Sequence, residues 1–457
     1  MRMHPAPTRS RYLRFAAWAL SCLTAASASG AAITAPQATP AATQATSAAV
    51  SPASTGYKHL GVATCAASVC HGKVAAQTGR NVALNEYRIW QQQDRHAQAY
   101  RALDRPLGKS IAAKLGLANA STAKICLDCH ADNVPDALRG PRFTLSDGIG
   151  CEACHGGAER WIKSHSDKDA THAANLALGM YPTETPVRRA QLCLSCHLGT
   201  DTKFATHRLM GAGHPRMRFE LDAFSVNQPA HYQVDADYVQ RKGKIDEVNL
   251  WLAGQIENER VYLGLLQGAL FTHTGLLPEL AFYDCFGCHH GLDKPRWSQE
   301  RAGPGVAPGT LRLQKQNLLM LQAVAEGIGE SAAAGELAEA GNALTRAGQT
   351  DVTAVRDDAR KLSVWLNARE PWTRRSFSRA DIGNVRKTLL RYAANDRTSD
   401  FAAAEQVVLG VESLSYALGD HDGHKGDIDA LYNAVKTSGS FDPSQFAGTA
   451  RQVAGHF

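Results

Sequence analysis

Four pentapeptides in this 457-residue chain set two cysteines and a histidine at one spacing. They are Cys126-Leu-Asp-Cys129-His130, Cys151-Glu-Ala-Cys154-His155, Cys193-Leu-Ser-Cys196-His197 and Cys285-Phe-Gly-Cys288-His289. With 11 Cys and 18 His in the chain, composition predicts about 0.01 such pentapeptides by chance. Two thiols at this spacing can add across the vinyl groups of a haem, and the histidine that follows supplies an axial nitrogen to the iron. Zinc also uses C-x-x-C pairs, but it needs a second pair at the same metal and has no use for a histidine after each second cysteine. A looser copy is Cys65-Ala-Ala-Ser-Val-Cys70-His71, whose longer loop must bulge to hold both thiols at the vinyl separation. Its alternative is a local disulfide. Reading it as a fifth site assigns ten of the eleven cysteines in pairs to five covalent c-type haems, with His71, His130, His155, His197 and His289 as proximal iron ligands. That division excludes a disulfide scaffold and a free nucleophilic cysteine in the mature chain.

The remaining cysteine, Cys22, lies in a segment that reads as an address. Residues 1–14 are basic without an acid, Phe15 to Leu23 are apolar, and Ala26-Ser27-Ala28 is a small-residue cleavage site. This pattern predicts a secretory signal over 1–28 and a periplasmic location, where c-type haem attachment is completed. Cys22 would tie the chain to a membrane only if it were lipidated, and Ala19 is a poor first residue for that signal. Residues 29–56 are almost wholly Ala, Thr, Ser, Pro and Gln, a composition that cannot bury a core and reads as a linker. The formal net charge of +6 is no pointer to nucleic acid, because Arg2, Arg9, Arg11 and Arg14 supply four of those charges within the signal. No apolar run reaches the eighteen or so residues of a spanning helix.

The five motifs fall between Tyr57 and His290, about 47 residues per haem, too little chain for each haem to have its own protein core. The expected fold class is therefore mainly α: a compact multihaem module with little β structure over 57–300, in which haems pack on one another, followed by a C-terminal helical bundle over 309–457. In that tail Leu311, Leu318, Leu321 and Val324 keep helical spacing, as do Val352, Val355, Leu362 and Leu366, then Ile382, Val385 and Leu389. With Phe401–Leu418 they predict four to six antiparallel helices, either covering the haem module or presenting a docking surface. His421 and His424 read as part of a solvated loop.

Five proximal histidines leave five distal positions. The candidate distal ligands are His96, His165, His172, His207, His214, His231, His273 and His290, with His59 also within reach. His207 and His214 are seven apart, but Gly211, Gly213 and Pro215 argue against one continuous helix and for separate ligands on a helix end and a loop. His290 cannot share an iron with His289, because adjacent side chains diverge. Only Met180, Met210, Met217 and Met320 remain beyond the signal, so bis-histidine ligation, which favours low potentials, should dominate.

The order of motifs resembles the cytochrome c-554 family of multihaem electron carriers. The resemblance rests on Gly61-Val-Ala-Thr-Cys65 with Trp90 and Asp94-Arg-His96-Ala97, then Ile125-Cys126 to His130, Gly148-Ile-Gly-Cys151 to Gly156, and Leu192-Cys193 to Leu198. It covers about residues 57–200; the expanded first motif, the motif at Cys285 and the cysteine-free tail depart from it. The resemblance implies that His96 serves the iron of His155, that His165 serves the iron of His197, and that one of His207, His214 and His231 serves that of His71. It also implies an open, five-coordinate iron at His130.

Two functions follow as expectations. The first is an exported cytochrome relaying electrons in a respiratory or redox chain, with redox proteins or quinone-linked donors as partners and no nucleic acid. The second is an oxidoreductase acting on a small nitrogen or sulfur ligand at an open iron on His130.

Overall fold

The computed structural model describes residues 56–78, 82–272, 278–290, 306–349, 351–395, 397–398 and 400–457. The signal and linker expected over 1–56 therefore lie almost wholly outside the described residues. The fold is mainly α: the only sheet among the described residues pairs Gly199–Thr200 with Lys203–Phe204, antiparallel. No described helix is long and apolar enough to cross a membrane.

The first half is built of short helices and turns. Three motifs lie on helices that end on the motif histidine, Lys124–His130, Cys151–His155 and Pro186–His197. A helical turn brings the two thiols of C-x-x-C onto one side and leaves the histidine at the frayed end, where its ring can turn inward. Pro186 sits in the first turn of its helix, where its missing N–H costs nothing. The first motif departs from this pattern: the helix Val62–Cys65 ends on the first thiol, and Cys70 and His71 follow in turns. The four residues between the two cysteines lie outside that helix, in coil and turn.

The second half is organised by the helix Glu247–Gln267, about 32 Å long at 1.5 Å per residue. Asp246 caps it by accepting from the Asn249 N–H, and Trp251, Leu252, Ile256, Leu263 and Leu266 are fully buried along it. It packs against Gln316–Gly327, Val352–Asn367 and Phe401–Leu418 on one side, and against Pro186–His197 and Leu221–Asn227 on the other. Gly254 faces Leu221, where a Cβ would lie 2.6 Å from the Leu221 Cβ, so its lack of a side chain is what lets the two elements approach.

The module boundary at 300 thus does not coincide with the division of cores. Glu247–Gln267 and the fifth motif share one apolar core with the tail, in which Phe286 packs on Phe441 with ring centroids 5.1 Å apart and Tyr283 bridges to Leu313. The tail itself holds seven α-helices among the described residues rather than four to six. The apolar runs at Leu318, Val352, Ile382 and Phe401 mark four of them. Ser331–Ala347 and Pro443–Ala454 went unmarked because alanines carry much of their buried faces, and Lys425–Ala434 because only Ile428 and Leu431 are buried on it. His421 and His424 form a short 3-10 turn whose rings stack on Tyr416 at 3.8 Å and on Phe457 at 4.1 Å, so they are packed rather than loose in solvent.

Candidate functional site

The first four motifs open onto one cavity of about 2610 Å³. Ordinary small-molecule pockets are about 300–1,000 Å³, so this space has room for several large groups. The thiols of Cys65, Cys70, Cys126, Cys129, Cys151, Cys154, Cys193 and Cys196 line it, together with His71, His130, His155 and His197. No disulfide joins any of the ten motif cysteines, so all of them remain available as haem anchors. Cys65 and Cys151 are hydrogen-bonding neighbours, as are Cys129 and Cys196, so the first motif abuts the third and the second abuts the fourth. The fifth motif lies apart: Cys285 and His289 border a separate small recess with Arg216, Met217 and Arg312.

Each motif histidine faces one other histidine ring. The centroid separations are 5.9 Å for His71 and His165, 6.4 Å for His130 and His214, 6.1 Å for His155 and His231, 6.3 Å for His197 and His96, and 6.1 Å for His289 and His207. A metal between two imidazoles, with metal–nitrogen bonds of about 2.0 Å and roughly 1.1 Å from nitrogen to ring centre, requires centroids about 6.2 Å apart. An edge contact between two rings can have a similar spacing, so one pair alone would decide little. Five motif histidines with five different partners, none used twice, fit metal-bridged pairs.

Second partners orient these rings. The Nδ1 of His71 donates to Glu86 at 2.9 Å, that of His96 to Asp94 at 2.9 Å, that of His130 to the Ala99 carbonyl at 2.9 Å and that of His214 to the Pro215 carbonyl at 2.8 Å. Each bond fixes the tautomer and leaves Nε2 for a metal. Burial pushes the His155 imidazole down to about 3 and that of His197 down to about 4, which keeps both neutral, the ligating form. The hydrogen bond to Glu86 raises His71. Burial works to lower His96, but the Asp94 hydrogen bond and charge outweigh it and the net shift is upward.

Glu152, inside the third motif, is 3% exposed and accepts from the backbone N–H groups of Leu60 at 2.8 Å, Gly61 at 2.7 Å and Ala158 at 2.8 Å. It ties the strand of chain leading into the first motif to the third. Glu86 and Glu152 support the site although the motif pattern itself calls for neither. Their positions follow no period, and only the location of Glu152 between two motif cysteines marks it.

Three implied pairings are redistributed. His96 faces His197 and not His155, His165 faces His71 and not His197, and His231 faces His155 and not His71. Sequence offset measures how far a histidine can travel, not toward which motif. Trp90 donates its Nε1–H to the Ile149 carbonyl, and the Ile149 N–H donates back to the His96 carbonyl. Those bonds hold the segment beside the lead-in to the third motif, and the His96 ring reaches the fourth. The iron position at His130, implied to be open, faces His214. His172 is engaged instead through Nε2 with Glu184 at 2.8 Å, His290 packs against Phe286, and His273 lies outside the described residues. His59 is fully buried with Nδ1 bonded to Asp132 at 2.7 Å.

No curated protein and no solved structure matches the chain. Residues 63–156, which include the first three motifs, match the family model described as cytochrome c554 and c-prime. Over that span the chain is similar to that family, and the match supports a c-type cytochrome with covalently bound haem iron and an electron-transfer role.

Proposed function

We propose that the protein is an exported pentahaem cytochrome that relays electrons in a respiratory or redox chain between redox partner proteins or quinone-linked donors. The observation that carries this reading is the one-to-one facing of the five motif histidines by five further histidines at metal-bridging separation. When bound, haem iron supplies one-electron chemistry between its ferric and ferrous states.

The chain's residues do the rest. Ten thiols anchor the groups permanently, which fits a relay and not a store. Paired imidazoles would hold each iron from both sides and favour low potentials. Glu86 and Asp94 make their histidines stronger donors through Nδ1. The shared cavity supports close neighbours for the first four haems, whereas the exposed Cys288 and His289 favour the fifth as a point of contact with a partner. The oxidoreductase alternative needs an iron with one free side, and His214 opposite His130 argues against it. Export rests on the basic, apolar and small-residue pattern of residues 1–28.

Mass spectrometry of the mature chain should find five haems on a polypeptide starting near residue 29. Its ferric paramagnetic resonance should be wholly low-spin, and the reduced protein should bind no carbon monoxide. Four haems, or a stoichiometric high-spin signal abolished by added ligand, would overturn the reading.

A further inference from the structure

His207 and His214, which face the fifth and the second motif respectively, stand on one ten-residue segment, Thr206–Pro215. The segment is built as a single piece. Thr206 Oγ1 accepts from the Leu209 N–H and starts the helix His207–Gly211. Gly213, at φ +117°, then turns the chain so that the His214 N–H returns to the Leu209 carbonyl.

Its two ends are fastened to the supports of two different motifs. Toward the fifth, the His207 N–H donates to Glu279 Oε1 at 2.6 Å, and the same oxygen accepts from Ala281 at 3.0 Å, four residues before Cys285. Toward the second, Leu209 and Ala212 bury themselves against Ile111 of the helix Pro106–Leu115, and Arg208 reaches the Leu115 carbonyl. That helix packs on Ala99–Leu103, which packs on the second-motif helix Lys124–His130 and whose first residue, Ala99, accepts from His130 Nδ1.

We propose that residues 206–215 form one ligand strap serving two irons: His214 closes the iron held by the second motif, His207 closes that held by the fifth, and displacing the strap frees both. The inference rests on the pentahaem reading above. It assigns each histidine to a particular iron and makes Leu209, which lines the shared cavity but offers no ligand atom, a positioning residue for both sites. The helix has only five residues, and Leu209 is the larger of its two buried side chains, so a charge there breaks the apolar contact with Ile111 on which the seating of both ends depends, leaving Ala212, the Arg208 bond to the Leu115 carbonyl and the His207 bond to Glu279 as the remaining holds.

The test uses the haem-loaded full-length protein and carbon monoxide as the probe, with high-spin iron counted by paramagnetic resonance. His207→Ala and His214→Ala should each expose one iron per chain, and the double variant two, with the haem count still five by mass spectrometry. Leu209→Asp, which puts a carboxylate into the apolar contact with Ile111 and Ala212, should expose both irons with both histidines present. A double variant that exposes fewer than two irons overturns the assignment of the two ligands. Leu209→Asp exposing one or none overturns the strap. If wild-type protein carries fewer than five haems or already binds carbon monoxide, the pentahaem reading fails and takes the strap with it. Five low-spin haems in wild type with unresponsive variants defeat the strap alone.

Discussion

Replacing Glu152 should loosen the joint between the first and third motifs without removing a haem ligand. Its carboxylate takes three backbone N–H groups, from Leu60 and Ala158 on Oε1 and from Gly61 on Oε2, and the site is almost fully buried. An orphaned buried donor costs about 1–3 kcal/mol, so Glu152→Ala, which orphans three and admits some water, should cost about 3–6 kcal/mol. Glu152→Gln keeps the two bonds to one oxygen but turns an amide N–H toward Gly61 N–H, losing one bond, so it should cost about 1–3 kcal/mol. The assay is denaturant unfolding of the haem-loaded protein, followed by far-ultraviolet dichroism and by the Soret band. The alanine variant should also release the His71 site first, because Leu60 and Gly61 lead directly into the helix Val62–Cys65. If Glu152→Ala lies within about 0.5 kcal/mol of wild type, the size expected of a surface change, the clamp reasoning is refuted.

Two further outcomes concern the bundle. Glu259 is buried on the central helix with no partner for Oε1, and burial pushes its carboxyl up to about 8 from the ordinary 4.5. The folded chain therefore holds a proton between those values that the unfolded chain releases, so this group's penalty is absent below about pH 4.5, grows as pH rises and levels off above about pH 8, at roughly 5 kcal/mol as an upper bound. Glu259→Gln should accordingly stabilise the protein by several kcal/mol at pH 9 and by less than about 1 kcal/mol at pH 5 in paired unfolding curves; an equal effect at both would sink the explanation. Gly254→Ala should push the central helix off Leu221 and destabilise by about 1–3 kcal/mol despite the better helix propensity of alanine, and a neutral or stabilising result would show that the contact is slack.

What could be read from the chain alone was the covalent chemistry. C-x-x-C-H is a local device: thiols and histidine must lie within one helical turn to meet one porphyrin, so Cys126–His130 and its fellows carry their meaning in five residues. Amphipathic helices are local too, and the runs at Val352, Ile382 and Phe401 became the helices Val352–Asn367, Arg379–Ala394 and Phe401–Leu418. The mainly α class followed from both.

Distal pairing was not local. Which imidazole faces which motif depends on how segments 90–97, 161–165 and 228–231 pack around the cavity, and on single hydrogen bonds such as that of Trp90 to Ile149. An offset in sequence fixes a radius of reach and leaves direction open, so His96 faces His197 in place of His155, and His165 faces His71 in place of His197. The same holds for the two halves. Sequence order sets the fifth motif with the other four, whereas packing of Phe286 on Phe441 and of Tyr262 on the Phe282 carbonyl sets it in the bundle. The residues themselves carried the covalent haem-binding pattern, thiols spaced for the vinyl groups and a histidine for the iron; burial of the long helix Glu247–Gln267 between the two halves, and the return of the chain at Gly213, decided what faces each motif.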